Sequence, residues 1–363
     1  MSEDKLTRPF SQRMLPVFIE EELNLDVPRD RDVLIEAVRG KLRDLTGTAE
    51  APSEELVRHL LKQRRVMIVV DGLSELSQAT RDKIQPSKAD FDANVLLITS
   101  RIDEQLDTPF TTKIRPMRVQ GNRLSSFMDA YLLQRGKRAL FDDKEFFDGC
   151  SKLSAIVGDR ETTILLAKLF ADQMIASKEK TVELLPENIP DLMLEYLNDL
   201  NRKEQGLDDR TVHSVAKTIA WICVSKAYRP NPAKISEVFE ALGGGEAANN
   251  YLNFLEQKLK LIQVVGVGRD LVKFALDPLS EYLAGLYAIE HYRDNEALWS
   301  NFLAKSENVS DTPQSKASFL LAVYDCSIVK GPEWNVPSFV PEHLIAQISA
   351  LRNNRAIEAA VEA

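Results

Sequence analysis

The chain has 363 residues, a formal net charge of −9, 44% hydrophobic residues and 28% charged residues. At roughly 100–200 residues per domain that length predicts two or three domains, and the composition excludes a disordered, collagen-like or low-complexity chain. No apolar run reaches the about 18–20 residues that cross a bilayer, residues 1–13 lack the apolar stretch of a secretory signal, and the acidic balance argues against a general nucleic-acid binder.

Residues 14–19, with Pro16 near the start, fit a strand. Residues 32–45 carry Val33, Leu34, Ala37, Val38, Leu42 and Leu45 at helical spacing. Gly47, Pro52 and Ser53 break that pattern, and Ser53 caps a second helix with Glu54 and Glu55 in its first turn. Residues 66–70 and 94–99 are continuous apolar runs, which predicts strands buried on both faces. A short helix is expected at 77–83 and an edge strand at 113–119, where Pro116 is tolerated. Strands alternating with helices predict a parallel α/β sheet.

From Leu124 the pattern turns helical, with helices around 124–131, 163–177 and 189–201 and a linker at 206–209. Helices at 211–227, 233–242 and 246–260 follow, the second stopped by Gly243, Gly244 and Gly245. Residues 261–265 and 271–276 form a hairpin by composition. Three helices and a hairpin make a winged-helix arrangement. A helix at 278–291 and a helical segment at 295–363, with a loop at 331–341, complete the chain. Cys150, Cys223 and Cys326 are far apart and odd in number, so the expected compartment is a reducing cytoplasm. His59, His213, His291 and His343 show no metal-ligand spacing. Residues 135–138, Arg-Gly-Lys-Arg, read as a solvated loop, and Cys223 as a buried apolar residue.

The chemistry-bearing segment is 66–75, an apolar strand that delivers Asp71 at its carboxyl end, followed by Gly72, Leu73, Ser74 and Glu75. An aspartate there can hold the water shell of a phosphate-bound Mg²⁺, and a carboxylate just beyond it can polarise an attacking water. In open α/β sheets ligands bind outside the carboxyl ends of the strands. A plain strand-ending Asp-Gly turn is the other reading. The strand at 94–99 also ends in polar residues, and Thr99, Ser100 and Arg101 are placed to contact a γ-phosphate. A strand end with a surface arginine is the alternative there.

In this order the segments resemble the NACHT group of STAND signalling NTPases, known from animal inflammasome receptors and bacterial defence proteins. The group's Walker B segment is an apolar strand followed by Asp-Gly-x-Asp-Glu, and residues 71–75 read Asp-Gly-Leu-Ser-Glu. Its sensor strand ends in Thr-Ser-Arg, as do residues 99–101. The strand before Walker B is similar to 15–19, and the end of the winged helix is similar to Phe274 with Glu281, Tyr282, Leu283 and Ala284. The resemblance covers about 13–289 and implies Asp71 and Glu75 as Walker B acids, Asp71 as a water-mediated Mg²⁺ ligand, and Thr99, Ser100 and Arg101 as sensor residues toward ATP or ADP.

Departures from the group's pattern qualify that implication. The chain has no Gly-x-x-x-x-Gly-Lys-[Ser/Thr] loop, the element whose backbone cradles phosphates. Gly136-Lys137 is followed by Arg138. In the group that loop precedes the segment matching 15–19, where only fourteen residues stand here, so the resemblance begins after the loop. Ser74 replaces an acid, Thr163 stands where the group has a proline on the adenine side, and Leu276 stands where it has a phosphate-touching histidine. The resemblance also sets the strand before the loop between the two apolar strands. Without it they either pair directly or are joined by another segment, because buried backbone groups do not go unpaired.

The expected organisation is an incomplete P-loop NTPase-like parallel α/β region at 1–120, a helical domain at 121–205, a winged helix at 206–292 and a C-terminal helical segment at 293–363. The expected function is a cytoplasmic signalling or defence regulator without autonomous NTP hydrolysis, acting through interdomain contacts, protein partners or self-association. One alternative is an ATP-binding STAND ATPase whose phosphate loop is supplied by a further N-terminal part. The other is a DNA-binding regulator, weighed down by a helix at 246–260 whose cations, Lys258 and Lys260, lie only at its far end.

Overall fold

The computed structural model describes residues 13–20, 22–28, 31–87, 91–100, 106, 112–114, 121–158, 162–179, 184–204, 206–265, 269–309 and 313–361. The chain divides into two compact units, 1–114 and 115–363.

In the first unit, β1 (Leu15–Ile19) is followed by α1 (Val33–Thr46), α2 (Glu54–Lys62), β2 (Val66–Val70), α3 (Gln78–Arg81) and β3 (Leu96–Ile98). Asp32 starts α1 by accepting from Leu34 N at 2.8 Å and Ile35 N at 3.0 Å. Gly47, at φ 65°, ends it in the left-handed conformation that favours glycine. Ser53 caps α2 through Leu56 N. The strands are parallel in the order β1-β2-β3, with Val17 opposite Ile68 and Ile68 opposite Leu96. The apolar stripes of α1 (Leu34, Ile35, Val38, Leu42) and α2 (Val57, Leu61) pack on Val17, Ile19, Val66, Ile68 and Val70. Each fully buried aliphatic chain there contributes about 1.5–3 kcal/mol. Leu73, Leu76 and Ile84, from the β2–β3 connection, join the same cluster. Both crossovers therefore lie on one face of the sheet, as right-handed connections between sequentially ordered parallel strands require.

The two apolar strands expected at 66–70 and 94–99 thus pair directly, without an intervening strand. The second one differs from its expectation of burial on both faces. It is a strand only at 96–98, and Leu97 is 51% exposed. Among the described residues, no crossover lies on its outward face. Of the edge strand expected at 113–119, Lys113 and Ile114 are not strand, and 115–119 lie outside the described residues.

The second unit is helical around one core. It opens with α4 (Gly121–Gln134), α5 (Asp143–Val157), α6 (Ile164–Lys178) and α7 (Ile189–Arg202). Then come α8 (Asp209–Val224), β4 (Ala233–Lys234), α9 (Ile235–Ala241), α10 (Gly245–Asn253), a π-helical turn at Phe254–Lys258, β5 (Ile262–Val265) and β6 (Leu271–Phe274). The unit closes with α11 (Asp277–Tyr292), α12 (Glu296–Asn308), α13 (Pro313–Val329), α14 (Gly331–Trp334) and α15 (Phe339–Val361). The antiparallel sheet has the order β4-β6-β5. Nearly every side of α11 is buried, including Leu279, Leu283, Ala284, Leu286, Ala288 and Ile289, the mark of a central helix. Gly285 lets α13 come close, because a Cβ there would lie 3.2 Å from Cys326 Sγ and 3.3 Å from Ala322 O. Trp221, Tyr228, Tyr292, Trp299, Phe302 and Phe319 form an aromatic cluster. Its buried polar tips are satisfied: Tyr228 Oη donates to Phe302 O and Trp299 Nε1 to Arg293 O, both at 2.8 Å.

Several local expectations change in this unit. The helix expected at 233–242 begins with two strand residues, because Ala233 pairs with Val272 and Lys234 with Leu271. The linker at 206–209 ends in a cap, with Asp208 accepting from Thr211 N at 3.0 Å. The loop at 331–341 contains α14, and α15 begins at Phe339. Residues 135–138 are more than a solvated loop: Arg138 pairs with Asp129 at 2.6 Å and Asp143 at 2.9 Å and lies over the Phe146 ring. Among the described residues no helix is long and apolar enough to cross a membrane.

Candidate functional site

Of the predicted site residues, Asp71, Thr99 and Ser100 lie at the carboxyl ends of β2 and β3, and Glu75 follows in the turn after β2. Asp71 extends the ladder of β2, donating its backbone N–H to Ile19 O at 3.0 Å. Its side chain is exposed. Gly72 follows at φ 68°, which turns the chain into a 3-10 turn at Leu73–Glu75. That turn contains Glu75 and places Ser74 in the interior.

Because β2 and β3 pair directly, Thr99 arrives beside Asp71. Four hydrogen bonds fix it. Thr99 N donates to Val70 O at 2.9 Å, and Leu73 N donates to Thr99 O at 2.9 Å. Thr99 Oγ1 donates to Asp71 Oδ1 at 2.5 Å and accepts from Gly72 N at 2.8 Å. The single hydroxyl proton of Thr99 is thus directed to Asp71. Ser100 follows, exposed. Arg101 lies outside the described residues.

An exposed carboxylate beside a hydroxyl is part of the oxygen donor set that Mg²⁺ takes, alongside its retained waters and substrate phosphates. Asp71, with Thr99 beside it, would supply that part. Among the described residues no group of three or more His, Cys, Asp or Glu could hold a metal ion without such help.

One supporting contact carried no signal in the sequence. Glu22 Oε1 accepts from Ser77 N at 2.6 Å, and Glu22 Oε2 accepts from Ser77 Oγ at 2.7 Å and from Thr80 Oγ1. This braces the segment that leaves the Asp71 turn. Ser77 is legible as a helix cap, but its partner stands 55 residues away.

The other singled-out groups have structural surroundings. Burial pushes the Cys223 thiol up to about 12. Burial, with Lys217 nearby, lowers the His213 imidazole, whose Nε2 lies 2.7 Å from Asn198 Oδ1. A cavity of about 270 Å³, lined by residues that include Phe141, Lys152, Met174 and Leu185, contains none of the predicted site residues.

Residues 319–350 match the family model of NACHT C-terminal helical domain 4. They take in most of α13, all of α14 and the first half of α15. The chain is thus similar to NACHT-type proteins over a small C-terminal region, downstream of the segments whose motifs resemble that group. No curated protein matches the chain.

Proposed function

We infer that the chain is a NACHT/STAND-like signalling or defence regulator module that acts through interdomain or protein–protein contacts and does not hydrolyse NTP by itself. The observation that carries this is the match of 319–350 to a NACHT C-terminal helical domain. It falls on a segment that had contributed nothing to the resemblance upstream. The order of Asp71, the 99–101 segment and the helical elements supports the same assignment. So does the element order at 206–292: helix α8, strand β4, helices α9 and α10, then the β5–β6 hairpin, with β6 in the middle of the sheet. That is the order of a winged helix, flanked on this reading by a helical domain at 121–205 and a C-terminal helical segment at 293–363.

Against autonomous turnover stands the absent phosphate loop. Asp71 keeps a partner in Thr99, Glu75 keeps a place in the turn, and the sequence has no Gly-x-x-x-x-Gly-Lys-[Ser/Thr] loop to cradle the phosphates they would serve. The alternative of ATP bound with a loop supplied by a further N-terminal part rests on the accessible Asp71 carboxylate. DNA binding is disfavoured by α10, whose exposed positions Glu246, Asn249, Asn250 and Asn253 carry no cation. Beyond it, Lys258 stands 3.9 Å from Glu204.

Calorimetry of the purified chain with MgATP and MgADP tests this reading, with Asp71→Ala as the control. No binding at millimolar nucleotide is expected. Binding tighter than about 10 μM, roughly −7 kcal/mol, and lost in the variant, would establish a nucleotide site and defeat the scaffold reading.

A further inference from the structure

Helices α7 and α8 are consecutive in the chain and pack on each other. Both feed one apolar cluster, α7 through Leu192 and Leu197, α8 through Val212, Ala216 and Ile219. His213 stands beside that cluster on α8 and is half-buried. Its ring is tied to α7, with Nε2 2.7 Å from Asn198 Oδ1. Asn198 Nδ2 in turn donates to Glu195 Oε1 at 3.2 Å, and an ionised carboxylate only accepts. That bond orients the amide, so its Oδ1 faces the imidazole and Nε2 carries the proton of the neutral ring.

A second proton would put a cation into this seam. One turn along α8 stands Lys217, whose Nζ lies 2.6 and 2.7 Å from the two carboxylate oxygens of Glu290 on α11. We propose that the α7–α8 seam is an acid-sensitive joint, in which a proton taken up by His213 weakens the docking of α8 on α7. Burial and then Lys217 oppose the charged ring, while Asp209 on α8 and Glu195 and the Leu194 backbone on α7 favour it; the balance holds the imidazole below its ordinary range. A histidine held below its unfolded value contributes stability that is present above about pH 6.5. That stability is lost as the pH falls from there through the folded value. On the reading given above, this seam joins the helical domain at 121–205 to the winged helix at 206–292, so acid would loosen that joint.

Two measurements on the full chain test this. His59, His291 and His343 are exposed, so His59→Gln, His291→Gln and His343→Gln together leave one imidazole signal in a carbon–proton correlation spectrum. Its titration midpoint is expected below about 6.5, and a midpoint at or above that value overturns the proposal. The second measurement is hydrogen exchange at about pH 7.5 and 5.5, corrected for the intrinsic rates. Protection in α7 and α8 is expected to fall severalfold, with a ceiling of about tenfold set by one group whose unfolded pKa is about 6.5. His213→Gln keeps an N–H for Asn198 and takes no proton, and the fall is expected to disappear in it. Protection that falls as far in His213→Gln as in the wild type, or that does not fall in the wild type, overturns the proposal. Should His213→Gln not fold, the imidazole midpoint still decides. Neither readout involves nucleotide, so a failure here is distinct from a failure of the scaffold reading.

Discussion

At the residue scale, Thr99 was legible and its use was not. The sequence shows a polar end to an apolar strand, which points outward to a ligand. Its hydroxyl joins Asp71 to Gly72 N, because the register of β2 and β3 sets 99 beside 71, and register is set by pairing rather than by local pattern. Thr99→Val removes a donor and an acceptor while keeping the shape. It is expected to cost about 1 kcal/mol, read as an earlier midpoint in a urea titration followed by far-UV circular dichroism. Ser53, read as a cap, acts as one, and Ser77 and Thr163, the first residues of the ranges expected to be helical at 77–83 and 163–177, cap their helices too. The capping box of Asp142 and Glu145 was equally available in the sequence, and it starts a helix, α5, that the apolar spacing alone did not reveal.

At the element scale, most long amphipathic helices, α5 excepted, followed their periodicity, while the two-residue strand β4 did not. β4 is only Ala233 and Lys234, held by β6 some 37 positions away in the chain, with Lys234 pairing Leu271; nothing local distinguishes it from a helix start. The α11–α13 contact is another non-local feature. It depends on Gly285, whose missing side chain lets the backbone of Ala322 approach. Gly285→Leu forces bulk against Ala322 O and Cys326 Sγ. A loss of about 1–3 kcal/mol is expected from such overpacking, checked by thermal unfolding. An unchanged midpoint would mean that the two helices can separate at little cost.

At the scale of the whole molecule, the parallel sheet and the succession of helices could be read from the alternation of patterns. The packing of the second unit around one core could not, because apolar spacing identifies the buried face of a helix without naming its partner. That core runs from Leu124 to Ile348. Tyr228 reaches Phe302 O, and Tyr282 Oη donates to Asp325 Oδ2 at 2.6 Å. A chain ending after Tyr292 would bare both and the α13 face of α11. It is expected to lose near-UV circular dichroism and to bind hydrophobic dye, whereas a retained sharp transition would show that 115–292 stands alone.

The aromatic cluster has a practical corollary. All three tryptophans and all eight tyrosines of the chain fall after residue 114. Intrinsic fluorescence therefore reports the helical unit and is blind to the sheet that carries Asp71. The chain comes with a built-in optical label on one of its two parts. Emission and far-UV dichroism recorded on the same titration separate the two melting events without any dye or added probe, and the part that emission leaves out is the candidate site's own.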